Sequence, residues 1–212
     1  MDYASLSRRV AGAFLEILGG FHPEKGEKLG QTLILLGPLE PDFWFHFKAS
    51  AEYRDGLADP MDRWSERVIG AFAQDLGGAA HFPFGGPPYM PFLRWAQRSG
   101  RAWQSPAGPL VHERSGMMVS YRGAIALPWR LDLPPTGPSP CSTCDTQPCL
   151  AACPVSALSA VKGYDVDACH GWLEMDGECL GAGCQARRAC PVSQSFPRLA
   201  EQSAFHMAAF HR

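Results

Sequence analysis

Apolar residues near the start of the chain recur at helical spacing. Val10, Phe14 and Ile17–Leu18 lie three or four residues apart, as they would on one face of a helix. The two glycines that follow are typical of a helix end. The pattern therefore predicts a helix over residues 5–18 that stops at Gly19–Gly20.

A longer helical pattern begins at Asp59–Pro60, where a carboxylate suited to the N-cap precedes a proline suited to the first helical position. Apolar residues then follow at steps of three or four: Met61, Trp64, Val68, Phe72 and Leu76. Gly77–Gly78 ends this predicted helix. Shorter helices are predicted after Pro41 and over residues 91–99.

Other segments have the character of strands. Residues 31–36 (QTLILL) form a short apolar run bounded by glycine, which predicts a buried strand. Residues 109–113 and 117–127 flank Arg-Ser-Gly, and together they predict a hairpin. Helices and hairpin-type strands mixed in this way indicate an α+β fold.

A run rich in proline divides the chain. Residues 128–140 (PWRLDLPPTGPSP) hold five prolines, which is typical of a semi-rigid linker. We therefore predict an α+β domain over residues 1–127, a linker over 128–140, and a second domain with a C-terminal helix over 141–212. A domain of some 130 residues is long enough to bury its own core.

All eight cysteines lie between Cys141 and Cys190, and the first 140 residues contain none. Disulfides would be spread through the body that they stabilise, so this block favours metal ligation. Its first half is C-x2-C-x4-C-x3-C-P and its second half is C-x9-C-x4-C-x5-C-P. Two-cluster ferredoxins use a related run, in which the fourth cysteine binds the other cluster.

That logic predicts two 4Fe–4S clusters that use all eight thiolates. The first set of ligands is Cys141, Cys144, Cys149 and Cys190. The second set is Cys153, Cys169, Cys179 and Cys184. Structural zinc is the alternative, but zinc ribbons pair two C-x2-C knuckles and this chain has one. The repeated Cys-Pro ending favours iron–sulfur clusters.

The cysteine block, together with Trp103–His112 and Gly116, resembles the epoxyqueuosine reductases and the related cobalamin-processing proteins. The likeness extends over residues 80–195 and includes Cys169, which lies where that family carries a cysteine between its two motifs. It implies a nitroreductase-like α+β domain joined to a dicluster ferredoxin-like module. The family's catalytic aspartate has no counterpart, because residues 81–95 hold no acidic side chain.

The resemblance also implies a pocket for cobalamin or a flavin. Within it we predict Gly86, whose lack of a side chain permits close approach, Tyr89 as a stacking face, and His112 near the cofactor. Each has a simpler interpretation, as a turn or as a hydrogen-bonded histidine at a strand end. No residue is assigned a catalytic role.

The net charge of -2 argues against a nucleic-acid partner and against binding to an anionic membrane. No apolar run reaches the roughly 18–20 residues that a membrane helix needs, and no secretory signal is recognisable, so a cytoplasmic protein is predicted. Three functions remain open. The first is a reductase whose clusters pass single electrons to a cofactor or small substrate held by the N-terminal domain. The second is a carrier whose N-terminal domain docks a redox partner protein. The third is a zinc-stabilised binding module.

Overall fold

The computed structural model of the chain describes residues 1–175 and 177–211 and divides into two units. Unit 1 comprises Met1–Arg101 and Ser120–Thr136, and unit 2 comprises Ala102–Val119 and Gly137–Arg212. Helices and sheets are mixed, which confirms the α+β prediction at this level. The division differs from the predicted boundaries, because residues 102–119 group with the cysteine block and most of the proline-rich segment belongs to unit 1.

Unit 1 contains a four-stranded sheet and five helices among its described residues. Its elements in chain order are α1 (Tyr3–Ala11), β1 (Leu15–Phe21), β2 (Thr32–Pro38), α2 (Asp42–Lys48), α3 (Ala51–Arg54), α4 (Pro60–Asp75), β3 (Ala79–His81), α5 (Phe92–Arg98) and β6 (Gly123–Leu127). The strand order is β1-β2-β6-β3, and all neighbours are antiparallel. Strands β2 and β6 are buried along their whole length, as suits the two central strands of a covered sheet.

The prediction of one helix over residues 5–18 is wrong in its second half. Helix α1 ends at Ala11, and Leu15–Phe21 forms an edge strand instead. Phe14 separates the two elements with a φ of 56°, a left-handed conformation that a continuing helix cannot contain. The spacing of apolar residues misled here because the residues of β1 are buried at almost every position rather than along one stripe.

The predicted hairpin around Arg114-Ser115-Gly116 is also wrong. Only an isolated bridge joins His112 to Gly116. Strand β5 (Leu110–His112) pairs instead with β4 (Ala102–Gln104), and β6 pairs with β2 and β3. The two halves of the expected hairpin therefore belong to different sheets.

The core of unit 1 is an aromatic cluster beneath helix α4. Trp64 is fully buried and meets Phe43 and Phe47 of α2 edge to face, at 5.2 and 6.3 Å between ring centroids. The predicted helix at 59–76 and its glycine end are confirmed, since α4 spans Pro60–Asp75. The N-cap expectation is wrong, because Asp59 has a left-handed backbone and its side chain makes no cap bond.

An ion pair between a buried glutamate and an exposed arginine joins α3 to α4. Glu52 is 8% exposed, and its carboxylate accepts two hydrogen bonds from the Arg67 guanidinium, one of them at 3.1 Å. These bonds lower the pKa of Glu52 to about 2, from an ordinary value of 4.5. The folded state therefore favours the ionised form, and the pair stabilises unit 1 fully above pH 4.5.

Replacing this glutamate should reveal that contribution as a dependence of stability on pH. We expect Glu52→Gln to lower the free energy of unfolding at pH 7 by about 1–2 kcal/mol. The loss is limited to this range because water around the exposed Arg67 side chain screens the pair. The difference from the parent should shrink as the pH falls from 4.5 toward 2. Urea unfolding at several pH values measures it. The exposed neighbour Glu66→Gln is the control, and an equal loss there would contradict the assignment.

Unit 2 is built from short elements connected by turns. In chain order they are β4, β5, two 3-10 turns (Pro140–Thr143 and Pro148–Leu150), β7 (Leu158–Ser159), β8 (Gly163–Tyr164), α6 (Val166–Met175), α7 (Glu178–Ala182), α8 (Gln185–Ala189), α9 (Pro191–Ser195) and α10 (Ala200–Phe210). The predicted C-terminal helix corresponds to α10. In the part of the chain that the structure describes, no helix has both the length and the apolarity to span a bilayer.

Candidate metal centre

Four thiols line one cavity in unit 2. They belong to Cys141, Cys144, Cys149 and Cys190, and the cavity has a volume of about 430 Å³. Its apolar wall includes Val111, Met117 and Val192. Cys149 and Cys190 are buried, whereas Cys141 and Cys144 are half-buried on the 3-10 turn that opens the cysteine block. Residues almost 50 positions apart in sequence thus share one site.

The electrostatics of this first thiol group show that its members are neighbours. Burial raises the pKa of Cys149, and the nearby Cys190, Cys141 and Cys144 raise it further. Burial likewise raises the pKa of Cys141, with smaller contributions from Cys190 and Cys144. Buried thiols grouped in this way are suited to a cationic metal centre, which would stabilise their thiolates.

Residues 102–119 supply part of the same site. Gly116 has a φ of 55°, and a Cβ atom there would lie 2.4 Å from the amide nitrogen of Ser193. The amide of Met117 donates a hydrogen bond of 2.9 Å to the Ser193 hydroxyl. Because Ser193 lies in the helix that Cys190 caps, these contacts hold the turn at 116–117 against the segment that carries Cys190.

The second thiol group is defined as Cys169, Cys179 and Cys184, which pack in an apolar cluster around Leu173 and Met207, together with Cys153. Burial raises the pKa of Cys179, and the charge of Cys184 adds to the effect. The pKa of Tyr164 is raised by burial, by a hydrogen bond to Cys169, and by the nearby charges of Cys169, Cys184 and Cys153. Tyr164 is the feature that relates Cys153 to the other three thiols.

The two Cys-Pro motifs have different local structures. Cys190 caps α9, with Pro191 in the first helical turn, as the ferredoxin pattern predicts. Cys153 is followed by a turn instead, in which Ser156 has a φ of 51°. There the amide of Ala157 donates to the Cys153 sulfur at 3.3 Å. Both arrangements orient a thiol, but only one uses a helix.

Arg187 links the second thiol group to residues 102–119. Its Nε donates to the carbonyl of Met117 at 2.5 Å, and one Nη donates to the carbonyl of Val119 at 3.2 Å. Burial lowers the pKa of Arg187, while the charge of Cys184 opposes that shift. The guanidinium thus provides positive charge close to the second thiol group.

The residues of the first thiol group fit a cubane cluster. In a 4Fe–4S cluster each cysteine binds a different iron, so four thiols need to surround a cavity rather than converge on one point. Among the described residues, no three His, Cys, Asp or Glu side chains are close enough to hold a single metal ion. The all-sulfur donor set and the cavity between the thiols meet the requirements of the larger centre.

The residues predicted for an organic cofactor are divided between the two units along the chain. Gly86 and Tyr89 belong to unit 1, where Tyr89 is 66% exposed, and His112 belongs to unit 2. His112 is buried, and its Nδ1 accepts hydrogen bonds from the amides of Arg114 and Ser115 at 3.2 and 3.3 Å. The histidine therefore stabilises the turn that carries Gly116, and its role toward cobalamin or a flavin stays a prediction.

His170 follows Cys169 in α6. Its Nδ1 lies 2.8 Å from Nδ1 of His211, and its ring stacks on that of His211. Phe210 packs against His170 as well, and it stacks on Tyr164 at 5.9 Å. The end of the chain therefore covers one side of the second thiol group.

Sequence patterns alone did not identify several residues around the thiols. Met117 reaches the first group only because the fold brings a distant segment to it, whereas Tyr164 lies five residues before Cys169. A signal was available for Gly116, since an isolated glycine after Arg-Ser is typical of a positive φ. No known protein-family model matches the chain, and no characterised protein or solved structure matches it with significance.

Proposed function

We propose that this chain is an iron–sulfur protein that holds two 4Fe–4S clusters and transfers single electrons. One observation carries the proposal: four thiols of one predicted ligand set line a single cavity, and three thiols of the other set pack together. Zinc or disulfides do not require that interleaved arrangement, in which Cys190 returns to the first half of the block. When bound, such clusters supply one-electron chemistry.

The protein's own residues would control the access of water to the clusters and the charge state that each cluster favours. Apolar side chains at both groups, such as Val111 at the first and Leu173 at the second, limit access of water to the sulfurs. Arg187 places positive charge beside the second group and favours its more negative state. On this basis unit 2 corresponds to the ferredoxin-like module that the resemblance implies, and unit 1 corresponds to the nitroreductase-like domain.

We infer that the carrier is the better supported of the two redox functions. His112, predicted to lie near a cofactor, is buried and uses Nδ1 to hold its own turn. Tyr89, predicted as a stacking face, is 66% exposed. Unit 1 would then serve chiefly to dock a redox partner protein.

Anaerobic purification with quantification of iron, sulfide and zinc tests the proposal. We expect about eight irons and eight sulfides per chain, with broad absorbance near roughly 400 nm that bleaches with dithionite as reduced-cluster EPR signals appear. The control is the same preparation after treatment with an iron chelator and ferricyanide, which should lose both signals. Two zinc ions and no iron in the anaerobic protein would overturn the electron-transfer function.

Titration of the reduced protein with cobalamin and with flavins separates carrier from reductase. A carrier should show no saturable change in the absorbance of either cofactor. Stoichiometric binding that is lost in Tyr89→Ala would support the reductase instead. The matched control is Tyr53→Ala, which removes a tyrosine of the aromatic core of the same unit.

A further inference from the structure

Each thiol group has beside it a buried hydrogen-bond donor that lacks a protein partner. At the first group the donor is the hydroxyl of Ser105, a residue that lines the cavity and is 2% exposed. At the second group it is the indole Nε1 of Trp172. Neither atom hydrogen bonds with any other described residue, cysteine sulfurs included.

The backbone of Ser105 is fixed in place. Its amide donates to the carbonyl of Pro109 at 3.0 Å, and its own carbonyl accepts from the amide of Gly108 at 2.9 Å. The turn that follows β4 therefore holds the Cα of Ser105 at the wall of the cavity. Only the hydroxyl is left without a partner, and rotation about one bond decides which way it donates.

Trp172 is held just as firmly beside the second group. It lies three residues after Cys169 in α6, so both occupy the same face of that helix. Its ring packs against the apolar cluster around Leu173 and Met207, together with Cys169 and Cys184. An indole N–H in this position costs free energy unless it finds an acceptor.

We propose that Ser105 and Trp172 each donate a hydrogen bond to an inorganic sulfide of the cluster that they adjoin. The inference rests on the proposed function. The acceptor is a sulfide of the cluster because neither donor bonds a cysteine sulfur, and a cluster between the thiols adds sulfides where the protein has no atoms. A hydrogen bond to sulfur favours the reduced, more negative state and raises the reduction potential.

Potentials measured in single-cluster variants test the proposal. Cys179→Ala retains the first thiol group intact, and Cys190→Ala retains the second. We expect Ser105→Ala to lower the potential of the cluster that remains in Cys179→Ala, and to leave the potential in Cys190→Ala unchanged. Trp172→Phe should lower the potential of the cluster in Cys190→Ala and leave the potential in Cys179→Ala unchanged. EPR-monitored redox titration measures the potential in each variant. Equal iron content with and without the added substitution shows that the cluster is still present.

Matched variants distinguish a hydrogen bond from a change in packing. Threonine and valine at position 105 have nearly the same shape, but only threonine keeps a hydroxyl. Ser105→Thr should therefore keep the parent potential, whereas Ser105→Val should not. This pair also replaces the alanine variant if Ser105→Ala incorporates little iron. Trp129→Phe removes another buried, unpartnered indole N–H from unit 1, which contains no cysteine, and should change neither potential. Full iron content with unchanged potentials would overturn this proposal alone, whereas a parent protein without iron would overturn the proposed function.

Discussion

Pairs of cysteine substitutions should lose one cluster or both, depending on whether they fall within one thiol group or across the two. We expect Cys149→Ala/Cys190→Ala to retain about four irons of about eight, because both residues belong to the first group. Cys153→Ala/Cys190→Ala should retain almost none, because it takes one ligand from each group. The two double variants remove the same number of thiols, so only the partition distinguishes them.

Iron and sulfide per chain after anaerobic purification measure this difference. Ser142→Ala is the control, since it alters the loop between Cys141 and Cys144 without removing a thiol. Far-UV circular dichroism checks that each variant retains its helices. Should Cys149→Ala/Cys190→Ala lose all iron while Cys153→Ala/Cys190→Ala keeps half, the two ligand sets would have to be exchanged at Cys149 and Cys153.

A single methyl group at Gly116 should disturb the first thiol group almost as severely. The alanine Cβ would lie 2.4 Å from the amide nitrogen of Ser193 and 2.6 Å from its hydroxyl, and the φ of 55° is itself unfavourable for alanine. We expect Gly116→Ala to destabilise unit 2 by about 2–4 kcal/mol, through backbone strain and overpacking. It should also displace the helix that Cys190 caps, so that about half of the iron is lost.

Thermal unfolding and iron content together report the effect. Gly163→Ala is the matched control, because Gly163 also has a positive φ in unit 2 but no atom lies within 4 Å of the site of its missing Cβ. That variant should show the cost of strain alone, about 1 kcal/mol, and keep its iron. Equal behaviour of the two variants would mean that the contact with Ser193 does not position Cys190.

The elements that sequence predicted well are those whose pattern is local. Helix α4 has its start signal, its apolar stripe and its glycine end within one segment, and β2 is an uninterrupted apolar run. The hairpin at 109–127 failed for the opposite reason. Strand pairing is decided by partners far away in sequence, and β6 found β2 and β3 rather than its predicted neighbour.

The candidate site likewise has a part that local sequence predicts and a part that it does not. The spacing of the cysteines predicts two ligand sets. The structure brings the four thiols of the first set to one cavity, and the full partition stays a prediction. The wall of the cavity could not be predicted, because Ser105, Val111 and Met117 come from a segment that sequence assigned to the other domain. The break between α1 and β1 was missed because nothing in the pattern announces the left-handed backbone of Phe14.

The chain crosses between its units after Arg101, after Val119 and after Thr136. If a ferredoxin were fused to an enzyme end to end, the chain would cross from one to the other once. A cut at that point would release the ferredoxin whole. Here a cut after Thr136 would strip the cysteine block of Met117 and of the turn that holds Cys190. A single cut therefore cannot separate the two units intact. During synthesis on the ribosome, central strand β6 emerges only after the segment at 102–119. That segment therefore waits for its partners while unit 1 completes its sheet: Cys141 follows about 20 residues later, and Cys190 about 70.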